Sequence, residues 1–353
     1  MKIAYVIAGT FDKESGVTKK IYNQVIEWEK HGNKVKLFCF TKRKVADLLH
    51  SLDIEIIRFS NYISFVLNPF LCRKVLKWKP DIIYFRQYPF TFSFYFLFKK
   101  LPTVIEYNSD DVEETKLTFN FPARVFHLLT RELINRSAIG FVTVTYELEK
   151  KLKKYNKPII TIANGIGSNT LKIERKSNHY NKINVLFLGS PNQPWHGVDK
   201  IYYLASKLPD VDFHLVGLID KVALNNVHTY GYLSLEQYAK IVEVCDVGIG
   251  TLALHRKKMN EASPLKVREY LHFGLPVIIG YEDTDFIGKE EDFILKIPNN
   301  EANIKDNIDL ISDFIKKSKH ITVDRRKIAH IYFSEKEKKR LKFLSSLIHC
   351  IQD

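Results

Sequence analysis

The chain has 353 residues, 45 % of them apolar, and a formal net charge of +14. That length and apolar content suit two globular domains with separate cores and exclude a disordered chain. The charge favours polyanionic partners: nucleic acid, an anionic membrane face, or phosphorylated substrates.

The basic residues are spread along the whole sequence without a recognisable nucleic-acid motif, so a nucleic-acid partner ranks last and is not expected. Cys39, Cys72, Cys245 and Cys350 form no CxxC pair. This suits a reducing cytosol and argues against a structural zinc site or a disulfide framework. No run reaches the roughly 18 apolar residues of a spanning helix. Met1–Ala8 leads into a folded pattern rather than a cleavage site, so a cytoplasmic location is expected.

Ile3–Ala8 is a short apolar run ending at Gly9, as in a buried parallel strand. The loop Gly9–Gly16 follows, then helical spacing from Val17 to His31 and a strand at Val35–Phe40. This opening lacks a GxGxxG fingerprint, and its glycines suit either a simple turn or close approach of backbone to a ligand. The alternation continues with a strand at Glu55–Arg58, a helix at Phe70–Lys77 and a strand at Asp81–Phe85. Tyr88–Phe98 reads as a buried or membrane-facing helix, burial being favoured because aromatics at mixed spacing more often fill a core.

The strand Thr103–Tyr107 ends at Asn108-Ser-Asp-Asp111, where open α/β sheets place ligands. Asn108 and Asp110 are therefore acceptor-side candidates, although an aspartate here equally suits a helix cap. A helix at Ala123–Ser137, a strand at Gly140–Val144, a helix at Glu147–Tyr155 and a strand at Ile159–Ile162 close the first half. The charged stretch Lys172–Lys182 reads as a linker.

The second half repeats the alternation. Strands are expected at Ile183–Gly189, Asp212–Gly217, Val227–Tyr232, Asp246–Gly250 and Pro276–Gly280, with helices at Val198–Lys207 and Leu235–Val244. The end, Asp324–Ile351, reads as a basic helix. The result is an α/β protein of two Rossmann-like domains facing across a cleft. Their expected bounds are 1–170 and 183–335, with a C-terminal helix, 336–353, packing back on the first.

Between the last two strands of the second half lies Glu261-Ala-Ser-Pro-Leu-Lys-Val-Arg-Glu269, with two carboxylates eight positions apart. Ser263 and Pro264 read as the cap and first residue of a helix, leaving the Leu265 and Lys266 amides free. Such a helix start attracts anions, and Lys266 and Arg268 add positive charge. A ligand with phosphate in its middle and hydroxyls at both ends matches this layout, as in a nucleotide sugar.

Three stretches resemble the retaining GT-B glycosyltransferases, similar to the GT4 group of bacterial surface-polysaccharide enzymes. They are the Glu261–Glu269 motif with its Phe-Gly-Leu-Pro-Val-Ile exit, Ile162-Ala-Asn-Gly-Ile166, and Leu186-Phe-Leu-Gly189 with Trp195-His-Gly197. The resemblance implies that Glu261 faces the transferred sugar and Glu269 holds the ribose hydroxyls. It implies diphosphate binding by the amides after Ser263 and Pro264, and donor contacts from Gly16 and Val17. The family usually places Arg and Lys after the first strand of the donor domain, and here Ser190 and His196 stand there. Charge compensation is then expected from Lys266, Arg256 or a protonated His196, which is the second catalytic candidate beside Glu261.

The expected activity is transfer of a hexose, with retention, to a glycan or lipid-linked acceptor in surface polysaccharide synthesis. The nucleotide-diphosphate sugar is a co-substrate; no cofactor and no metal are expected. The basic charge would hold the enzyme near an anionic inner membrane. Two other readings compete: a GT-B-type sugar-nucleotide epimerase, and a two-lobed sugar-binding protein without catalysis.

Overall fold

The structure, a computed structural model, describes residues 1–13, 15–167, 182–219 and 222–352. The expected linker, apart from Lys182, lies outside the described residues. The chain divides into two units, Met1–Ala163 with Phe333–Asp353, and Asn164–Tyr332.

In the first unit the strands are β1 (Lys2–Ala8), β2 (Lys34–Thr41), β3 (Ile54–Arg58), β4 (Ile82–Arg86), β5 (Thr103–Tyr107), β6 (Gly140–Thr143) and β7 (Ile159–Thr161). Among the described residues they form one parallel sheet in the order β3-β2-β1-β4-β5-β6-β7. Strand side chains alternate between faces, so β1 feeds two cores. Ala4, Val6 and Ala8 join Phe38, Phe85 and Phe94 on one face. Ile3, Tyr5 and Ile7 join Trp28, Leu37 and Tyr84 on the other.

The helices of this unit are α1 (Gly16–Lys30), α2 (Asp47–His50), α3 (Tyr62–Leu67), α4 (Phe70–Trp78), α5 (Phe92–Lys100), α6 (Asp111–Thr118), α7 (Phe121–Ser137) and α8 (Tyr146–Leu152). Polar caps set their starts: Ser15, Thr91, Asn120 and Thr145 each accept an amide from the first turn of the helix that follows.

The second unit holds β8 (Ile183–Leu188), α9 (Val198–Lys207), β9 (Val211–Val216), β10 (Val227–Thr229), α10 (Leu235–Val244), β11 (Val247–Ile249), β12 (Glu261–Ala262), α11 (Leu265–His272), β13 (Val277–Ile279), β14 (Glu282–Asp283) and β15 (Ile294–Lys296). After β15 come α12 (Asn303–Asp306) and α13 (Ile308–Lys317). Its main sheet is parallel, in the order β10-β9-β8-β11-β13-β15, and β12 pairs with β14 apart from it.

The C-terminal helix α14 (Phe333–Gln352) belongs to the first unit and starts later than expected, because Asp324–Tyr332 forms turns. Its anchor is polar. The Trp28 indole donates to Glu337 at 2.7 Å, and Arg340 pairs with Glu337 and lies 3.6 Å from Glu106. Burial pushes the Glu106 carboxyl up, but Lys20, Arg340 and Arg86 outweigh it and hold the group below the usual range.

Candidate functional site

In the second unit, the carboxyl end of β8, the loop after it and the start of α11 come together. Phe187 is the platform on which they meet. The Lys266 Nζ lies 4.2 Å from the centre of its ring, and the His196 ring meets it edge-on at 5.8 Å. Tyr270 seats α11 beneath the sheet by accepting the Leu188 N–H at 2.6 Å. The loop folds back through Gly197 at φ +72°, where a Cβ would stand 3.0 Å from that of Leu252. Gly197→Ala is expected to cost about 1–3 kcal/mol, read as a lower midpoint in thermal unfolding.

The helix begins one residue later than the sequence suggests. Pro264 is extended at the cap position, with ψ 136°, and Ser263 does not cap. Instead the Ser263 hydroxyl accepts the Asn164 amide and the Arg268 guanidinium, each at 2.8 Å. The Leu265 and Lys266 amides donate to no protein acceptor among the described residues. Two free N–H groups thus mark the helix start, as expected, and they carry its positive end.

Lys266 is the unusual group. Its stem is half-exposed, yet its Nζ is buried without a hydrogen-bond partner. Burial lowers its pKa to about 7. Asn164, whose Nδ2 donates to the Ser263 carbonyl at 2.6 Å, also has a buried and unpartnered Oδ1. Buried polar groups are normally satisfied inside the protein, and these two are not.

Glu261 is buried in β12, in register with Glu282. Glu269 is half-buried on α11, and its charge adds to burial in raising the Tyr238 pKa. The free amides, Lys266 and Glu269 therefore lie on α11, and Glu261 lies on β12 just before it.

Three expectations are corrected. Arg268 lends no charge to an anion site: it is fully buried, bonded to both oxygens of Asp283 at 2.7 Å and 3.0 Å from Asp285. Asp283 and Asp285 are its partners. Arg256 is likewise engaged, gripping Asp199 through two bonds of 2.8 and 2.7 Å and pairing with Glu301. His196 is not a cation, because burial, then Lys266 and Lys257, push its pKa down to about 2. Ser190 is exposed in the loop.

Residues of the first unit stand by themselves. Gly16 is the first residue of α1 and Val17 the second, behind the Ser15 cap. Asn108 bridges Lys20 Nζ at 2.6 Å and Glu106 at 3.1 Å. Asp110 caps α6 through the Val112 and Glu113 amides and pairs with Lys151, so its carboxylate is already engaged. Beside it a cavity of about 200 Å³ is lined by Arg86, Tyr88, Asn108, Ser109, Asp111 and His127. His127 bonds Asp111 at 2.9 Å while its Nδ1 is buried and unpartnered.

Sequence reasoning did not single out Phe187, Asn164 or His127 as site residues. Phe187 lies within an apolar strand and carries no mark distinguishing it from core. Asn164 was visible as part of an Asn-Gly pair, but its partner Ser263 is 99 residues away.

No family model matches the sequence, and no curated protein does. Solved structures do match in fold. The lipopolysaccharide outer core galactosyltransferase WaaB superposes with a TM-score of 0.69 at 12 % identity, covering 98 % of this chain and 99 % of its own. Sucrose-phosphate synthase from Thermosynechococcus elongatus gives 0.68 at 13 %, with 99 % of each chain covered. Anabaena HepE, solved with UDP, gives 0.67 at 14 %, covering 98 % of this chain and 100 % of its own. The fold is GT-B, built from two Rossmann-like domains.

Proposed function

We propose that the protein is a retaining glycosyltransferase that moves a hexose from a nucleotide-diphosphate sugar to a glycan or lipid-linked acceptor. Its place would be surface polysaccharide synthesis at the inner face of a membrane. The observation that carries this reading is the buried, unpartnered Lys266 ammonium beside the free amides of α11. A diphosphate supplies what both lack. The structural likeness to HepE, which was solved with UDP, supports a uridine nucleotide as the first to try.

Glycosyl transfer develops positive charge on the sugar and negative charge on the departing diphosphate. Donors fixed in place before reaction stabilise the second without reorganising. In this reading Lys266 and the Leu265 and Lys266 amides hold the diphosphate, Glu269 the ribose, and Glu261 the sugar. Neutral His196 contributes shape and a hydrogen bond rather than charge. The acceptor attacks the face from which the diphosphate leaves, and the leaving phosphate takes its proton, so no separate nucleophile is required. The cavity at Asn108 is the acceptor candidate.

A panel of nucleoside diphosphates tests this by thermal shift, because a ligand bound only to the native state must stabilise it. At a concentration 100-fold above Kd, the matching diphosphate should add about 2.7 kcal/mol. Glu269→Ala should lose about tenfold or more in donor affinity, as expected for a charged hydrogen bond of about 1.5–3 kcal/mol. Unchanged affinity and rate in that variant would remove Glu269 from the site.

A further inference from the structure

The first unit turns an apolar helix face outward. On α7, Phe121, Val125, Leu129 and Leu133 recur at intervals of four and form one stripe, with Phe121 77 % and Leu129 69 % exposed. The buried positions of the same helix are His127, Thr130, Ile134 and Asn135. This inverts the ordinary arrangement, in which the apolar stripe faces the core. The neighbouring α5 does the same in part: Phe94, Leu97 and Phe98 are buried, while Phe92 and Phe96 stack on each other in solvent. Phe90 joins the two helices, meeting Phe126 at 5.9 Å and Phe92 at 5.3 Å. Helix α3, which also packs against α5, exposes Ile63 and Leu67.

The surrounding charge is mainly positive, and Glu132 on α7 is paired with Lys154 at 2.8 Å. Residues 56–80, 82–105 and 115–131 contain no Asp or Glu, but carry five, three and three Lys or Arg respectively. Lys99 and Lys100 at the end of α5 and Arg136 on α7 are exposed, as are Arg73 and Lys77 on α4, which packs against α5. Exposed apolar side chains rimmed by cations are the signature of a surface that lies in a membrane interface.

From this we infer that the α3–α5–α7 face docks on an anionic lipid bilayer, its aromatic and leucine side chains entering the headgroup boundary and its cations meeting lipid phosphates. The inference deepens the reading of a lipid-linked acceptor and rests on it for the choice of a bilayer over other partners. No helix among the described residues is long and apolar enough to cross a membrane, so the contact is one of lying on the surface.

The test is co-sedimentation of the full chain with vesicles of phosphatidylcholine alone, and of phosphatidylcholine and phosphatidylglycerol in equal parts. The protein should pellet with the anionic vesicles, and high salt should weaken that binding. The double variant Phe96→Ser, Leu129→Ser should partition about tenfold or more less strongly, since two exposed hydrophobes are lost. Lys99→Gln and Arg136→Gln should each weaken binding about fivefold. An unchanged thermal midpoint establishes that these variants fold. Failure to pellet, or equal pelleting of wild type and the Phe96/Leu129 variant, overturns the proposal. So does a concentration-dependent dimer that the same variant breaks, because a second copy would then cover the face. Donor binding is measured separately without vesicles, so the loss of either result leaves the other standing.

Discussion

Arg268→Met should lower the stability of the 164–332 unit by about 3–5 kcal/mol, the cost of removing one partner from a buried ion pair. Arg268 is fully buried and is the shared partner of Asp283, Asp285, Ser263 and the Asn164 carbonyl. Without it, a carboxylate only 2 % exposed loses the guanidinium that compensates it. Breaking one side costs more than removing both, so Arg268→Met combined with Asp283→Asn and Asp285→Asn should recover most of the loss. Hydrogen exchange on the full chain separates the units: α11 and β14 should lose protection, and β1 and β2 should keep theirs. If the triple variant were no better than the single, the ion cluster would not be the source of the effect.

Arg268 also shows where sequence reading stops. Helix α11 carries Lys266 and Arg268 two positions apart, and nothing local distinguishes the one from the other. The distinction arises from Asp283, which reaches Arg268 only after the chain has left α11, formed β13 and entered β14. The Ser263 hydroxyl was expected to cap for a local reason, and the competing partners Asn164 and Arg268 won. The sheets were legible because parallel strands buried on both faces are short apolar runs bounded by turn residues. Val198–Lys207 and Leu235–Val244 came out with the bounds their periodicity suggested. Strands β14 and β15 were not legible, being two and three residues long, too short for a period to show. For α5 the favoured burial holds on one face, with Phe94, Leu97 and Phe98 buried, while Phe92 and Phe96 are exposed on the other.

The second large effect concerns Lys266 and pH. Its ordinary pKa of 10.5 is lowered to about 7 in the folded protein by burial. Between those values the unfolded chain holds the proton more often than the folded one, so stability should rise with pH across that window. Below about pH 7 both states are protonated and the full cost of burying the ammonium remains. Binding a diphosphate has the opposite preference, because the anion favours the charged lysine. Above pH 7 binding must then take up a proton, and affinity should fall by up to about tenfold for each pH unit toward 9. Titration calorimetry with UDP in two buffers of different ionisation enthalpy counts that proton. Lys266→Met should make the unliganded protein more stable at neutral pH, since an unpaired buried charge is removed. It should also abolish the pH slope and lower kcat/KM by about 10²–10³-fold, the range for losing one preorganised donor to a developing anion. Lys266→Arg keeps the charge at all these pH values, so it should retain part of the binding while losing the slope. A slope that persisted in Lys266→Met would mean another group takes the proton, and the diphosphate would have to be placed elsewhere.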